Sequence, residues 1–337
     1  IMGTGSYSEV VSVVEAVLAG DKPTRRGAIS APLYDTPRAV STGPNWAYLR
    51  IAEGCDNRCA YCVIPSLRGK FRSRTKESIL EEARLLAASG VKELIIVAQD
   101  ITRYGIDLYG KVCLTELLKE LCKLDFRWVR LHYLYPELID DELIDEIASE
   151  DKIVKYLDIP IQHINDTILR RMNRRGTGEE IRTLFKKLRE RIPGLVLRTS
   201  LITGLPGEGE AEFEELCDFL REAKIERAGV FPYSPEEGTP AALMPDRCST
   251  EEAQRRAELC MEIQAEIMDG FAETFIGREL DVLVMGREPD GTPWGRSEYD
   301  SPDIDSRVIF SGDAAPGDMV RVRIDSVDDG ELIGEQI

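Results

Sequence analysis

The stretch EGCDNRCAYCVIPSLRGKFRSR, residues 53–74, gathers Cys55, Cys59 and Cys62 within eight residues in the spacing C-x-x-x-C-x-x-C. It follows the apolar run WAYLRIA (46–52), which reads as a strand. Three chemistries compete for such a trio. A zinc site closes with four protein ligands, usually from paired C-x-x-C units, and the chain offers no second pair. His132 and His163 are its only histidines, and nothing in the spacing points to either as a fourth ligand. Inert thiols are the second alternative. A [4Fe-4S] cluster is the third: it takes one thiolate per iron, so three cysteines leave one iron open. An open iron chelates the amino and carboxylate groups of S-adenosylmethionine (SAM), and the aromatic Tyr61 just before the last cysteine strengthens that reading. Cys55, Cys59 and Cys62 are therefore the candidate metal ligands and catalytic centre.

Outward from this loop, apolar or β-branched runs recur: ELIIVA (93–98), WVRLHYL (128–134), KYLDIPI (155–161), LVLRTSLI (195–202) and AGVFPY (228–233). Amphipathic segments lie between them at about 76–89, 114–123, 138–149, 179–192 and 210–223. Strands alternating with helices predict a parallel sheet with helical crossovers. Six strands predict an incomplete, TIM-like (β/α)6 barrel, with catalytic groups on loops at the carboxyl ends of strands. The cysteine loop, directly after the first strand, meets that rule.

Before the barrel, IMGTGSYSEVVSVVEAVLAG (1–20) reads as a turn entering a helix, with Ser8 as cap and Val10, Val13, Val14, Val17 and Leu18 on one face. Nothing precedes it for that face to cover, so the expectation is that the chain is part of a longer protein. Residues 20–44 read as a linker. After the barrel, a helix at 249–275 opens at Ser249 with a capping box to Glu252. The runs LDVLVM, SRVIF, MVRVRI and ELIGEQI, divided by Gly, Pro and Asp turns, predict a small antiparallel β-barrel. The expected divisions are 1–44, 45–248 for the α/β barrel, 249–273 for a connecting helix and 274–337 for the small barrel.

Lys plus Arg number 43 against 61 Asp plus Glu, a net charge of −18 in 337 residues. Such a chain is not drawn to nucleic acid by its overall field. No run of about 18 apolar residues predicts a membrane span. With no secretory signal, eight cysteines read as reduced thiols or metal ligands, and the expected location is cytoplasmic.

The cysteine loop resembles the radical SAM superfamily. Together with VAQDITRYGIDLYG (97–110), DIPIQHINDTILRRMNRRGT (158–177), ITGLPGE (202–208) and FPYSPEEGTPAA (231–242), it looks like the methylthiotransferases, which join a leading domain, a radical SAM barrel and a terminal TRAM barrel. EGCD, IPSLRGKFRSR, YSPEEGTPAA and SEYDSPDID resemble the RimO branch, which modifies an aspartate of small-subunit ribosomal protein S12; the alternative is the MiaB-like branch, which modifies adenosine in tRNA. The resemblance implies a [4Fe-4S] cluster, SAM and an external electron donor. SAM is cleaved to a 5'-deoxyadenosyl radical, hydrogen leaves the aspartate β-carbon, and a methylthio group is added there. It also implies three more cysteines in the leading domain, holding an auxiliary [4Fe-4S] cluster that handles sulfur. This sequence lacks them, so SAM cleavage without sulfur insertion is the expectation.

By the same resemblance, the cofactor contacts fall at strand ends: Tyr61; Ala98, Gln99 and Asp100; Gln162 and His163; Ile202 and Gly204. A plain strand-end turn at 98–100 and an ordinary packed His163 are the competing readings. The turn GLPGEGE (204–210) is weak as a phosphate loop, because its spacing fits no such fingerprint. Cys113, Cys122, Cys217, Cys248 and Cys260 read as isolated core or surface thiols. Arginines 58, 68, 72, 74, 170, 171, 174 and 175, with Lys70 and Lys76, form two basic stretches near the cofactor face, read equally as ion-paired surface or as anion contacts. From Thr274 onward, six arginines face fifteen carboxylates, a net of 6 − 15 = −9. Such a barrel repels RNA and suits a basic ribosomal protein. The strand-end loops and this TRAM barrel are expected to cover the reaction.

Overall fold

A computed structural model describes residues 1–29, 39–43 and 45–337. Part of the expected linker at 20–44 lies outside the described residues. Helix α1 (Val10–Leu18) follows a 3-10 turn at Tyr7–Glu9, and Glu9, not Ser8, occupies the cap position, without a side-chain bond. Ser8 is already inside the turn. Val10, Val11, Val14, Val17 and Leu18 are exposed, so the apolar face is uncovered among the described residues.

The barrel is built as the alternation predicts. Strands β1 (Trp46–Arg50), β2 (Glu93–Val97), β3 (Trp128–Leu131), β4 (Ile153–Asp158), β5 (Val196–Thr203) and β6 (Arg227–Pro232) form one parallel sheet in sequential order. The first and last do not pair, so the barrel is open. Alternate residues, among them Leu49, Leu94, Ile96, Val129, Leu131, Leu197 and Leu201, pack outward into one core beneath the crossover helices. Those include α2 (Lys76–Ala88), α3 (Leu114–Leu121), α4 (Asp141–Ser149), α5 (Gly178–Arg191) and α6 (Glu210–Ala223). The caps of α2, α4 and α5 are Thr75, Asp140 and Thr177, each accepting a backbone N–H.

Inward residues are unusually polar for so closed a space. Glu93 bridges Arg130 at 2.6 Å and Arg296 at 2.5 Å, Asp158 pairs with Arg198 at 3.2 Å, and Arg227 pairs with Asp300 at 2.8 Å. Buried charges persist only when paired, and here the partners come partly from the carboxyl-terminal barrel.

Helix α7 (Thr250–Glu273) is more than a connector: Ala257 and Cys260 belong to the main core. Ser249 accepts the Glu252 N–H, but the Glu252 carboxylate turns to Arg255 and Arg256, so only half of the expected capping box forms. Cys217 and Cys260, read from sequence as isolated, face each other across α6 and α7 with sulfurs 3.9 Å apart.

The terminal unit is a closed five-stranded barrel of β7 (Glu279–Arg287), β8 (Pro293–Ser297), β9 (Val308–Ser311), β10 (Met319–Asp328) and β11 (Glu331–Gln336). Strand β8 was not among the predicted runs, its Pro, Gly and charged residues hiding it. The β9–β11 pair is parallel, so the barrel is not wholly antiparallel. Leu283, with Met285, Tyr299 and Met319 around it, packs on Trp128, Val154, Tyr156 and Val196 near the amino-terminal starts of the large barrel's strands. From there the segment after β8 enters the lumen: Asp305 accepts from the Tyr156 hydroxyl at 2.6 Å and Ser301 meets His132 at 3.1 Å. The small barrel thus floors the lumen from below, on the side away from the cysteine loop, and closes the site from that side alone.

Candidate active site

The cysteine loop leaves β1 through Gly54, whose φ of +82° suits glycine, and a Cβ there would stand 2.2 Å from the Lys70 carbonyl oxygen. Its N–H donates to Gln99 Oε1 at 2.6 Å, and the Cys55 N–H donates to the Gly69 carbonyl at 3.1 Å. Asn57 Nδ2 donates to Asp100 Oδ2 at 2.8 Å, while the other oxygen of Asp100 accepts from Thr102. Farther along, Ala60 N–H reaches the Met172 carbonyl, Ala241 N–H reaches the Ala60 carbonyl, and Asn173 Nδ2 reaches the Arg58 carbonyl. The loop is therefore stapled to the end of β2 on one side and to the segment after β4 on the other.

Cys59 is buried, and Cys55 and Cys62 are half-buried. The Cys59 sulfur lies 3.6 Å from the Tyr135 hydroxyl and 3.9 Å from Arg174 Nη1. Arg174 also donates through Nη2 to the Pro160 carbonyl at 2.6 Å and stacks on the Tyr135 ring at 4.3 Å. Burial opposes its charge, yet neighbouring Tyr61, Tyr135 and Cys59 hold its pKa raised. Burial pushes the Cys55 thiol up to about 11, and it raises Cys62 as well. Metal binding to these thiols must displace protons.

Among the described residues no three Cys, His, Asp or Glu side chains stand already gathered as metal ligands, the loop trio included. The fit to a cluster rests on the donor chemistry: three thiols on one pinned loop, with a cation and a hydroxyl at the most buried sulfur. Zinc fits less well, because both histidines are committed elsewhere. His132 meets Ser301, while His163 Nδ1 accepts the Asn165 N–H and its Nε2 lies 3.3 Å from Glu208.

The other expected contacts divide. Tyr61 and Ile202 pack together with Ala60, Met172 and Leu205 beside the cysteines. Ala98, Gln99 and Asp100 end β2 against the loop, with Gln99 and Asp100 holding it through Gly54 and Asn57. Gln162 adopts φ +73° and bonds through its backbone to Ser200 and Ile202 of β5. His163 is buried, with its Nε2 3.3 Å from Glu208. Gly204 donates its N–H to Glu208, and a Cβ there would stand 2.4 Å from that of Ala253. The missing Cβ lets α7 approach at this glycine. Of the basic stretches, Arg68 pairs with Glu53, Arg74 with Glu82 and Lys76 with Glu116, so much of the first is ion-paired surface. Among the described residues, Arg174 is the cation beside a loop sulfur. Nothing in the sequence singles it out of arginines 170, 171, 174 and 175, and Tyr135 carries no signal beyond being an aromatic just past a strand.

A model of the radical SAM superfamily matches residues 49–220, and one of the TRAM domain matches residues 276–337. The chain is 47% identical to the ribosomal protein uS12 methylthiotransferase RimO of Caldanaerobacter subterraneus subsp. tengcongensis, covering 99% of this chain and 77% of the relative. It is 49% identical to the enzyme of that name from Pelotomaculum thermopropionicum, covering 100% of this chain and 77% of the relative. In fold it resembles the radical SAM methyltransferase TsrM of Kitasatospora setae, with TM-score 0.54 and 18% identity over 72% of this chain and 52% of that one. With a pinned three-cysteine loop on an open parallel barrel and these relatives over nearly its whole length, the chain belongs to the RimO family of radical SAM methylthiotransferases.

Proposed function

We propose that this chain holds a [4Fe-4S] cluster through Cys55, Cys59 and Cys62, binds SAM, and acts in the cytoplasm on the β-carbon of an aspartate of ribosomal protein uS12. The observation that carries the reading is the loop itself, pinned at the carboxyl end of β1 with Arg174 and Tyr135 at Cys59. When bound, the cluster supplies the electron that cleaves SAM and so provides a hydrogen abstractor strong enough for an unactivated C–H bond. The chain's residues then have definite tasks. Gln99 and Asp100 hold the loop, Tyr61 and Ile202 offer an apolar wall, and Arg174 places a positive charge where electron density accumulates. The segment 297–305 fills the lumen from below and keeps water from entering on that side.

Charge supports a protein substrate over RNA. In the small barrel Arg287, Arg307, Arg321 and Arg323 all pair with carboxylates of the same barrel, Arg296 is buried against Glu93, and Arg278 lies over the Phe275 and Tyr299 rings. Few cations are left for phosphate, while Asp290, Asp303 and Asp329 add exposed negative charge. A basic ribosomal protein is the complementary partner. Outside the loop, Cys113 and Cys122 stand at opposite ends of α3, Cys217 and Cys260 meet as a pair and Cys248 lies apart, so the loop trio is the one set of three proposed to hold a cluster. The activity proposed for this chain is SAM cleavage coupled to uS12 binding, with sulfur insertion requiring an auxiliary cluster from further ligands. The test is anaerobic reconstitution with SAM, a reductant and uS12. 5'-Deoxyadenosine should form and uS12, not tRNA, should bind in a salt-dependent manner; tRNA binding instead would favour the MiaB-like alternative.

A further inference from the structure

The lumen above its floor holds a cation for which the loop chemistry has no use. Four arginines face inward or enter from the small barrel. Three of them, Arg130, Arg227 and Arg296, have side chains 0%, 6% and 3% exposed and are buried against Glu93 and Asp300, so the N–H groups they leave without a partner, Arg130 Nη1 and Nη2 among them, are out of reach of an incoming group. Arg198 differs: its side chain is 14% exposed, and its one recorded hydrogen bond among the described residues runs from Nη1 to Asp158 Oδ1 at 3.2 Å. A guanidinium has five N–H donors, so this one keeps donors beyond the bond to Asp158 on a side chain that is not sealed from solvent.

Its position is as telling. Residues 198, 200 and 202 share the lumen face of β5, and Ile202 packs against Tyr61 of the cysteine loop. Four residues of strand put Arg198 about 13 Å below that ring. One lumen layer beneath it Tyr156 is tied to Asp305, and in its own layer His132 meets Ser301, so the segment from the small barrel closes the lumen up to Arg198. Tyr133, 47% exposed at φ +63°, stands beside the Asp158–Arg198 pair. A side chain entering from the carboxyl mouth therefore meets the loop first and Arg198 last.

We propose that Arg198, held by Asp158, recognises the carboxylate of the substrate aspartate, so that its β-carbon is presented toward the cysteine loop. The inference rests on the uS12 reading above. The planar fork of a guanidinium matches a carboxylate, whereas an amide of equal size forfeits the charge-assisted bonds. The residue is a specificity determinant of the substrate side chain, separate from the groups at the thiols.

The test is anaerobic binding of uS12, and of uS12 with its target aspartate changed to asparagine, to the reconstituted chain. Wild type should prefer the aspartate form by about tenfold or more, as one charge-assisted hydrogen bond predicts. Arg198→Gln should reduce that ratio to within about threefold, and Arg198→Gln with Asp158→Asn should do the same without leaving Asp158 unpaired. Iron content and circular dichroism equal to wild type show that the variant barrels are folded. The proposal is overturned if wild type shows no preference or if the double variant keeps it. A preserved preference in wild type without any 5'-deoxyadenosine would sink the methylthiotransferase reading while leaving Arg198 as the carboxylate-binding residue.

Discussion

Arg174 Nη1 stands 3.9 Å from Cys59 Sγ, the most buried sulfur of the loop, with the guanidinium anchored by the Pro160 carbonyl and the Tyr135 ring. A cation and a hydroxyl donor at one ligand favour the reduced, more negative form of a bound cluster. Arg174→Gln should lower the midpoint potential by roughly 59 mV, equivalent to a tenfold change in the one-electron equilibrium. A redox titration followed by electron paramagnetic resonance reads this directly, and an unchanged potential would remove Arg174 from that role.

Gly54→Ala should empty the site. The added Cβ meets the Lys70 carbonyl at 2.2 Å in a left-handed backbone conformation, so the loop must shift where Gln99 and Gly69 hold it. Iron per chain after reconstitution should fall several-fold while the helical circular dichroism persists. Full iron loading would show that the loop tolerates another path.

Glu93→Gln should loosen the two barrels together. The carboxylate is fully buried between Arg130 and Arg296; despite the penalty of burial, those two charges keep its pKa lowered. Removing it strands two buried guanidinium groups, a loss on the order of 3–5 kcal/mol. Urea unfolding followed by tryptophan fluorescence, which reports Trp46 and Trp128 near that junction, should show a lower midpoint. A change below about 1 kcal/mol would mean that solvent reaches the junction.

His132 makes stability fall with acid. Burial, then the charges of Arg130 and Arg198, depress its pKa to about 3, with Glu93 opposing and Arg296 adding. The folded chain thus refuses a proton that the unfolded chain accepts near pH 6.5. Its contribution is complete above that pH and is lost as pH drops toward 3, by about 1.4 kcal/mol per unit and about 2 kcal/mol by pH 5. Urea midpoints between pH 7 and 5 should slope less in His132→Gln. Parallel slopes would show that His132 is not the group responsible.

How much of this was legible beforehand follows from what each feature depends on. The six strands and their helices announce themselves through local periodicity, and the cysteine spacing is a local signal as well. The Tyr61–Ile202 contact follows from strand-end position. Arg174, Tyr135 and Arg198 were obscured because their meaning depends on which residues a parallel sheet brings side by side. Gly204 is ambiguous for a related reason: the same absence of a Cβ serves a ligand's approach or a helix's, and the neighbour Ala253 becomes visible only in the fold. The floor of the lumen was hidden because SEYDSPDID looks like a solvated acidic turn until Arg227, Tyr156 and His132 are placed around it.

Three sulfurs leave one iron corner of the proposed cluster open to SAM. Electron paramagnetic resonance of the anaerobically reconstituted, reduced chain, recorded with and without SAM, tests that corner most directly. The predicted result is about four irons per chain, a signal that changes when SAM is added, and loss of both in Cys59→Ala. A colourless protein holding zinc, or a cluster signal indifferent to SAM, would contradict it.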